Sequence, residues 1–269
     1  MNNSKIAFIG AGNMANSLIH GLINKGVPQS NITACDIDQE KVQALVDTCG
    51  IHTASMIDAA KSADVLVLAV KPQVMEAVCT ELRKVLSESG CLLISIAAGV
   101  PLHSLEAWLG SAQSIVRCMP NTPALVSEGA TGLFANANTS DAQAKLAEAV
   151  LSAVGICSWL ENEAQIDMVT ALSGSGPAYY FLLMEAMEQA AITMGLPAEM
   201  ARQFTIQTAL GAAKLAASSD VPPDELRRRV TSPGGTTEAA IKSFESDAFR
   251  SIVERAIGAA QKRSIELAN

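Results

Sequence analysis

Five short apolar runs rich in β-branched residues punctuate the first half of the chain: Ile6–Ile9, Ile32–Cys35, Val65–Val70, Leu92–Ile96 and Ser114–Arg117. The stretches between them, Met14–Asn24, Glu40–Thr48, Val74–Ser87 and Leu102–Leu109, carry apolar residues at a spacing of roughly 3.6, the period of a helix with one buried face. A chain that alternates strand and helix at this pitch is confined to right-handed crossovers, which lay the strands parallel with helices on both faces. The expected fold class is α/β, with an N-terminal doubly wound, Rossmann-like parallel sheet.

After about Leu160 the β-branched runs stop, and Ala, Met, Leu, Glu and Gln dominate to Asn269. Two domains are expected, residues 1–160 binding a dinucleotide and residues 161–269 forming an all-α domain. Pro177, Pro197 and Pro222–Pro223 each precede a helix-prone stretch, where a missing N–H costs nothing. The segment Ala178–Met194 is apolar almost all round, with Tyr179, Tyr180, Phe181, Leu182, Leu183, Met184, Met187 and Ile192. A helix facing water would not be, so burial against a second subunit is expected.

Charge and hydropathy exclude two classes of partner. The 27 acidic residues outnumber the 19 Lys and Arg, and no basic run exceeds Arg227–Arg229, which argues against binding nucleic acid through its phosphates. The apolar runs Val65–Val70 and Cys91–Val100 stop well short of the ~18 residues of a membrane span, so no membrane partner is expected. Met1–Lys5 leads straight into the first strand without an apolar leader, and a cytoplasmic location is the expectation. Cys35, Cys49, Cys79, Cys91, Cys118 and Cys157 form no C-x-x-C pair and have no His at metal spacing; they read as reduced and mostly buried, with no metal site.

The sharpest local pattern is Ile6–Ala15, a strand running directly into Gly10-Ala11-Gly12-Asn13-Met14 and a helix. Gly10 permits the tight turn, Gly12 lets a pyrophosphate approach the backbone and the free N–H groups of the helix start, and Ala15 is small enough for close helix–strand packing. Asp36, at the end of the second strand, stands where a carboxylate binds the adenosine ribose and so favours NAD; alternatively Asp36 or Asp38 caps the following helix. Three more strand ends are candidate cofactor walls: Ala69-Val70-Lys71-Pro72, Ala97-Ala98-Gly99 after Ile96, and Asn121 within Met119–Pro123. Lys71 is suited to a phosphate or to plain solvation, and Asn121, rigid between two prolines, is placed at or near a nicotinamide.

Taken together, the motifs resemble one enzyme family. The succession Gly10–Met14, Val70-Lys71-Pro72-Gln73, Ser95-Ile96-Ala97-Ala98-Gly99, Met119–Pro123, Ser173-Gly174-Ser175-Gly176-Pro177-Ala178-Tyr179 and Ser232-Pro233-Gly234-Gly235-Thr236-Thr237 is similar to that of pyrroline-5-carboxylate reductases, and it spans nearly the whole chain. The resemblance implies reduction of 1-pyrroline-5-carboxylate to L-proline with NADPH or NADH, and a homodimer through the helical domain, often built into a decamer. It also implies that Thr237 meets the imine nitrogen, that Gly234, Gly235 and Thr236 hold the carboxylate, that Asp220 lies near that loop, and that Ser175 lies near substrate and nicotinamide. The chemistry is consistent: a Gly-Gly-Thr-Thr helix start offers backbone N–H groups to a small carboxylate, and hydride transfer to a protonated imine requires mainly orientation. Read alone, Gly234–Thr237 is equally a helix N-cap.

Two other functions compete. A β-hydroxyacid dehydrogenase would use a positioned Lys, but Lys214, Lys242 and Lys262 lie in no Gly-rich frame. A catalytically silent dinucleotide sensor would not need Ser232–Thr237. His20, His52 and His103 belong to no motif and read as structural.

Overall fold

The computed structural model describes residues 3–86 and 90–268. Ser87, the last residue of the helix expected over Val74–Ser87, lies outside the described residues. The chain divides into two compact units, Met1–Ser175 with Ala260–Asn269, and Gly176–Ala259.

The first unit is built on eight strands: β1 (Ile6–Ile9), β2 (Ile32–Cys35), β3 (His52–Thr53), β4 (Val65–Leu68), β5 (Leu92–Ser95), β6 (Ser114–Met119), β7 (Gly129–Ala135) and β8 (Gly155–Trp159). They lie in the order β3-β2-β1-β4-β5-β6-β7-β8, parallel throughout except for the antiparallel β6–β7 pair. The order reverses at β1, so the crevice beyond the carboxyl ends of β1 and β4 is the point where ligands bind open α/β sheets. The crossovers are α1 (Asn13–Asn24), α2 (Gln39–Cys49), α3 (Met56–Ser62), α4 (Pro72–Leu86), α5 (Leu102–Leu109) and α6 (Asp141–Leu151).

Both faces of the sheet are dry, as the alternating pattern predicts. Ile6 and Phe8 of β1 pack with Leu18 and Leu22 of α1 on one face, while Ala7 and Ile9 pack with Leu66, Leu68, Met75 and Leu82 on the other. Burial of such side chains stabilises by roughly 1.5–3 kcal/mol each.

Three strands were not expected from the sequence: β3, β7 and β8. β7 and β8 carry glycine where an ordinary strand would carry a branched residue. At Gly155, with φ +151, a Cβ would sit 2.0 Å from the carbonyl oxygen of Gly129, so the two strands come too close for any side chain. That proximity is set by pairing and leaves no apolar run to read.

The first unit also extends past the expected boundary at residue 160. Its segment continues through α7 (Gln165–Val169) and a π-helical turn, Thr170–Gly174. Val169 packs over Gly132 of β7, and Ile166 and Ala171 are buried. Helical texture therefore begins before the chain has left the sheet.

The second unit holds α8 (Gly176–Thr193), α9 (Ala198–Ala217), α10 (Pro223–Arg229), α11 (Thr236–Ser246) and the first turns of α12 (Phe249–Leu267). The last turns of α12 belong to the first unit, where the Ser264 hydroxyl donates to Asp167 at 2.6 Å. α8 and α9 pack together, yet Tyr180, Phe181, Leu182, Met187, Phe204 and Ile206 stay exposed. Among the described residues, no helix is long and apolar enough to cross a membrane.

Candidate active site

The turn after β1 is shaped by backbone contacts that only glycine allows. Gly10 has φ +106, and a Cβ there would lie 2.5 Å from the carbonyl oxygen of Ala69. Its amide donates to Cys35 at 2.8 Å, while the Ala69 amide donates to Ile9 at 2.8 Å, so β1, β2 and β4 are knit together where the sheet order reverses. Gly12 is the N-cap of α1 and has open space where a Cβ would point. No side chain caps α1 and its first turn holds no acidic residue, which leaves the amides at Asn13 and Met14 for an incoming anion. Ala15 is fully buried. These features fit a dinucleotide pyrophosphate.

The two aspartates after β2 divide the roles left open by the sequence. Asp36 accepts from the Ala11 amide at 2.7 Å and from the Asp38 amide at 2.9 Å, tying the glycine turn to the β2 end. Asp38 is the N-cap of α2 and pairs with Lys41 at 2.8 Å. The hydrogen bond from Lys41 holds the Asp38 carboxyl below its usual range, and Asp38 in turn raises Lys41. A 2′-phosphate here would meet two carboxylates and a lysine that is already paired, whereas a ribose hydroxyl can use the remaining lone pairs of Asp36.

The other walls lie at the expected strand ends. Ala69 and Val70 are half-buried, Lys71 is exposed, and Pro72 opens α4. Ala97 is buried, Ala98 is exposed, and Gly99 lies against the backbone of Leu267. Asn121 is buried, its Nδ2 donates to the Ser173 carbonyl at 3.0 Å, and its Oδ1 accepts from the Ala130 amide at 2.9 Å, so its side-chain amide is engaged inside the fold.

In the second unit, Gly235 is the N-cap of α11, and no side chain caps the helix. Thr236 and Thr237 lie in the first turn, so neither hydroxyl performs the capping that the sequence left open. The Gly234 amide donates to Glu238 at 2.6 Å and the Gly235 amide to Ser232 at 3.0 Å. Those two amides are engaged within the chain, while the Thr236 and Thr237 amides, at the first two helical positions, have no intrahelical acceptor. Lys242 lies 2.9 Å from Glu238 and, with the Gly234 amide, holds that carboxyl below its usual range. Thr237 is half-buried, Thr236 and Asp220 are exposed, and Ser175, at the end of the first unit, is half-buried.

Comparison with known proteins agrees with both halves. Residues 5–99 match a family model described as NADP oxidoreductase, coenzyme F420-dependent, and residues 163–267 match one described as pyrroline-5-carboxylate reductase dimerisation. A pyrroline-5-carboxylate reductase of Pseudomonas aeruginosa is 57% identical over 269 residues, covering 100% of this chain and 98% of that protein. The chain belongs to the pyrroline-5-carboxylate reductase family. A second member, from Haemophilus influenzae, is 44% identical over 99% of this chain and 98% of its own length. Among solved structures, the Coxiella burnetii reductase superposes with a TM-score of 0.96 at 47% identity, covering 100% of both chains. The Plasmodium falciparum reductase, solved with NADP bound, gives 0.88 at 31% identity over 100% of both.

Two residues near the Ala97–Gly99 strand end were not singled out from sequence. Arg117, buried in β6, donates to Glu163 at 2.6 Å, and the same Glu163 oxygen accepts from the Leu102 amide at 2.7 Å. The pair fastens the start of α5, just beyond Ala97–Gly99, to the segment leading to Ser175. A charged residue inside an otherwise apolar strand was the available signal; its partner lies 46 residues away.

Proposed function

We propose that this chain reduces 1-pyrroline-5-carboxylate to L-proline by hydride transfer from NADH or NADPH, the last step of proline biosynthesis. The carrying observation is the pair of uncapped helix starts, one behind the open Gly10–Gly12 turn and one behind Gly234-Gly235, in a chain 57% identical to a named reductase. When bound, the reduced nicotinamide supplies a hydride to the ring carbon of the C=N bond.

The chain's own residues bind and orient. Gly10, Gly12, Asn13 and Met14 hold the pyrophosphate, Asp36 the ribose, and Ala69-Val70-Lys71-Pro72 with Ala97-Ala98-Gly99 wall the remainder. The Thr236 and Thr237 amides hold the substrate carboxylate, and the Thr237 hydroxyl hydrogen-bonds the ring nitrogen, which enters protonated and leaves as the amine. Gly234 and Gly235 shape that turn, Asp220 supplies negative charge beside it, and Ser175 borders the ring. Because substrate and transition state differ mainly in charge at C=N, orientation accounts for most of the rate.

The proposed assembly is a homodimer through the C-terminal helices, with a decamer of five dimers as the larger form. The cytoplasm is the proposed location, since the six cysteines are thiols rather than disulfides, which suits a reducing compartment. Purified protein mixed with pyrroline-5-carboxylate and each reduced nicotinamide in turn should consume the nicotinamide only when the imine is present. Turnover of 3-hydroxy acids with none of the imine would overturn the reading.

A further inference from the structure

Asn121 occupies an unusual mechanical position. The Ser173 carbonyl that it holds lacks its ordinary helical donor, because the residue four positions later is Pro177, which has no N–H. The turn around it, Thr170–Gly174, is π-helical and closes through the Ser175 amide donating to Thr170 at 2.8 Å. Single π turns are rare and are found chiefly at functional sites. Their cost has to be met by surrounding contacts, and here two such contacts come from the end of β6. The Asn121 amide supplies the missing donor at Ser173, and Met119 lies so close that a Cβ on Gly174 would come 2.8 Å from its terminal methyl. The other end of Asn121 is anchored at the Ala130 amide, so the tie cannot swing away without breaking a second, part-buried hydrogen bond.

We propose that Asn121 is a positioning residue for imine reduction, acting through the Ser173 carbonyl and the π-helical turn to set the place of Ser175, without touching the cofactor. This rests on the reductase reading above and on the role given there to Ser175. Asn121→Asp keeps the shape and the acceptor facing Ala130 but replaces the donor with an oxygen that faces the Ser173 carbonyl. A buried carbonyl left without its donor is unfavourable, and the turn is expected to relax.

The test combines kinetics, binding and hydrogen exchange on the full-length enzyme. In Asn121→Asp, kcat with pyrroline-5-carboxylate should fall about 5- to 100-fold, while the Kd for reduced nicotinamide, read by its fluorescence, stays within about twofold. Exchange at the Ser175 amide should accelerate while β1, β4 and β5 keep their protection. If Asn121→Asp does not fold, Asn121→Ala removes the same donor without introducing a charge, and it should reproduce the kcat loss with cofactor affinity retained. Weaker nicotinamide binding with unchanged Ser175 exchange would make Asn121 a direct cofactor contact and overturn the proposal, as would an unchanged kcat. A wild-type enzyme inert toward the imine sinks the reductase reading itself; an active wild type with an equally active variant sinks only the positioning role.

Discussion

Phe8 and Phe181 both sit within regular elements, yet Phe8 is completely buried and Phe181 is 64% exposed. The contrast extends to the units that hold them. Around Phe8, the large side chains of β1, β4, α1 and α4 are closed over by their own unit: Leu18, Leu22, Leu66, Leu68 and Met75 have no exposure. Around Phe181, α8 and α9 leave Tyr180, Leu182 and Phe204 more than half exposed. A doubly wound sheet completes its core because each crossover helix lies back on the strands. A few helices of this composition have too little surface between them to cover one another, which supports the dimer proposed above.

Mutations can break that comparison. The largest effect is expected from Phe181→Glu, which puts a charge into the proposed dimer face, twice over because a two-fold interface repeats each residue; light scattering should show loss of the dimer. A folded, active monomer of the unaltered chain would show that the face needs no cover. Next comes Phe8→Ala, which should cost about 3–5 kcal/mol of folding stability through the cavity it leaves, with the assembly intact below the melting point. Both tryptophans, Trp108 and Trp159, lie in the first unit, so tryptophan fluorescence reports this loss selectively.

Smaller effects test the chemistry of each half. Thr237→Val deletes the hydroxyl proposed at the ring nitrogen and should lower kcat/KM by roughly 5- to 150-fold, the equivalent of ~1–3 kcal/mol. Since the N-cap of α11 is Gly235 and no side chain caps it, the melting temperature should hold; a lower Tm with full activity would make Thr237 structural. Asp36→Ser should raise the preference for NADPH over NADH by about tenfold, by removing one charge from the 2′ position, and an unchanged ratio would place Asp36 outside the site.

The smallest effect is a difference in pH response. Burial pushes Cys35 up to about 11 and Cys79 and Cys91 up to about 12, from 9.0. A raised thiol stabilises the fold fully below the unfolded value and loses that contribution as pH climbs through the folded one. Stability read from denaturation followed by tryptophan fluorescence should therefore fall between pH 9.0 and about 12. In the second unit the direction reverses: hydrogen bonds from Arg228 and Arg229 hold Glu225 at about 2, so its contribution is present above 4.5 and disappears as pH falls through about 2.

How far the sequence could be read followed how local each signal was. The Gly10–Met14 turn, the buried strands β1, β2, β4 and β5, and the over-apolar α8 are legible because spacing within a few residues sets which atoms are buried. The division of labour between Asp36 and Asp38 was left open, because either residue type can cap a helix and only the Ala11 amide at 2.7 Å selects Asp36 for the turn. The same holds for Gly234–Thr237, whose residue types allowed a threonine cap until Gly235 was seen to be the N-cap with no side chain capping the helix.

By itself, then, the sequence determined the parallel sheet with its dinucleotide turn, the helical second half and its need for cover, since periodicity and backbone sterics act over a turn or a strand. Only the tertiary structure decided that β7 and β8 extend the sheet, that the first unit runs on to Ser175, and that the Asn121 side chain donates to the Ser173 carbonyl. The physical reason is that these outcomes depend on hydrogen bonds and close backbone approaches between residues far apart in the chain, 52 positions for Asn121 and Ser173 and 97 for Asp167 and Ser264. No local pattern specifies such a partner, because an amide or hydroxyl donates to any well-placed acceptor and the fold alone chooses which one arrives.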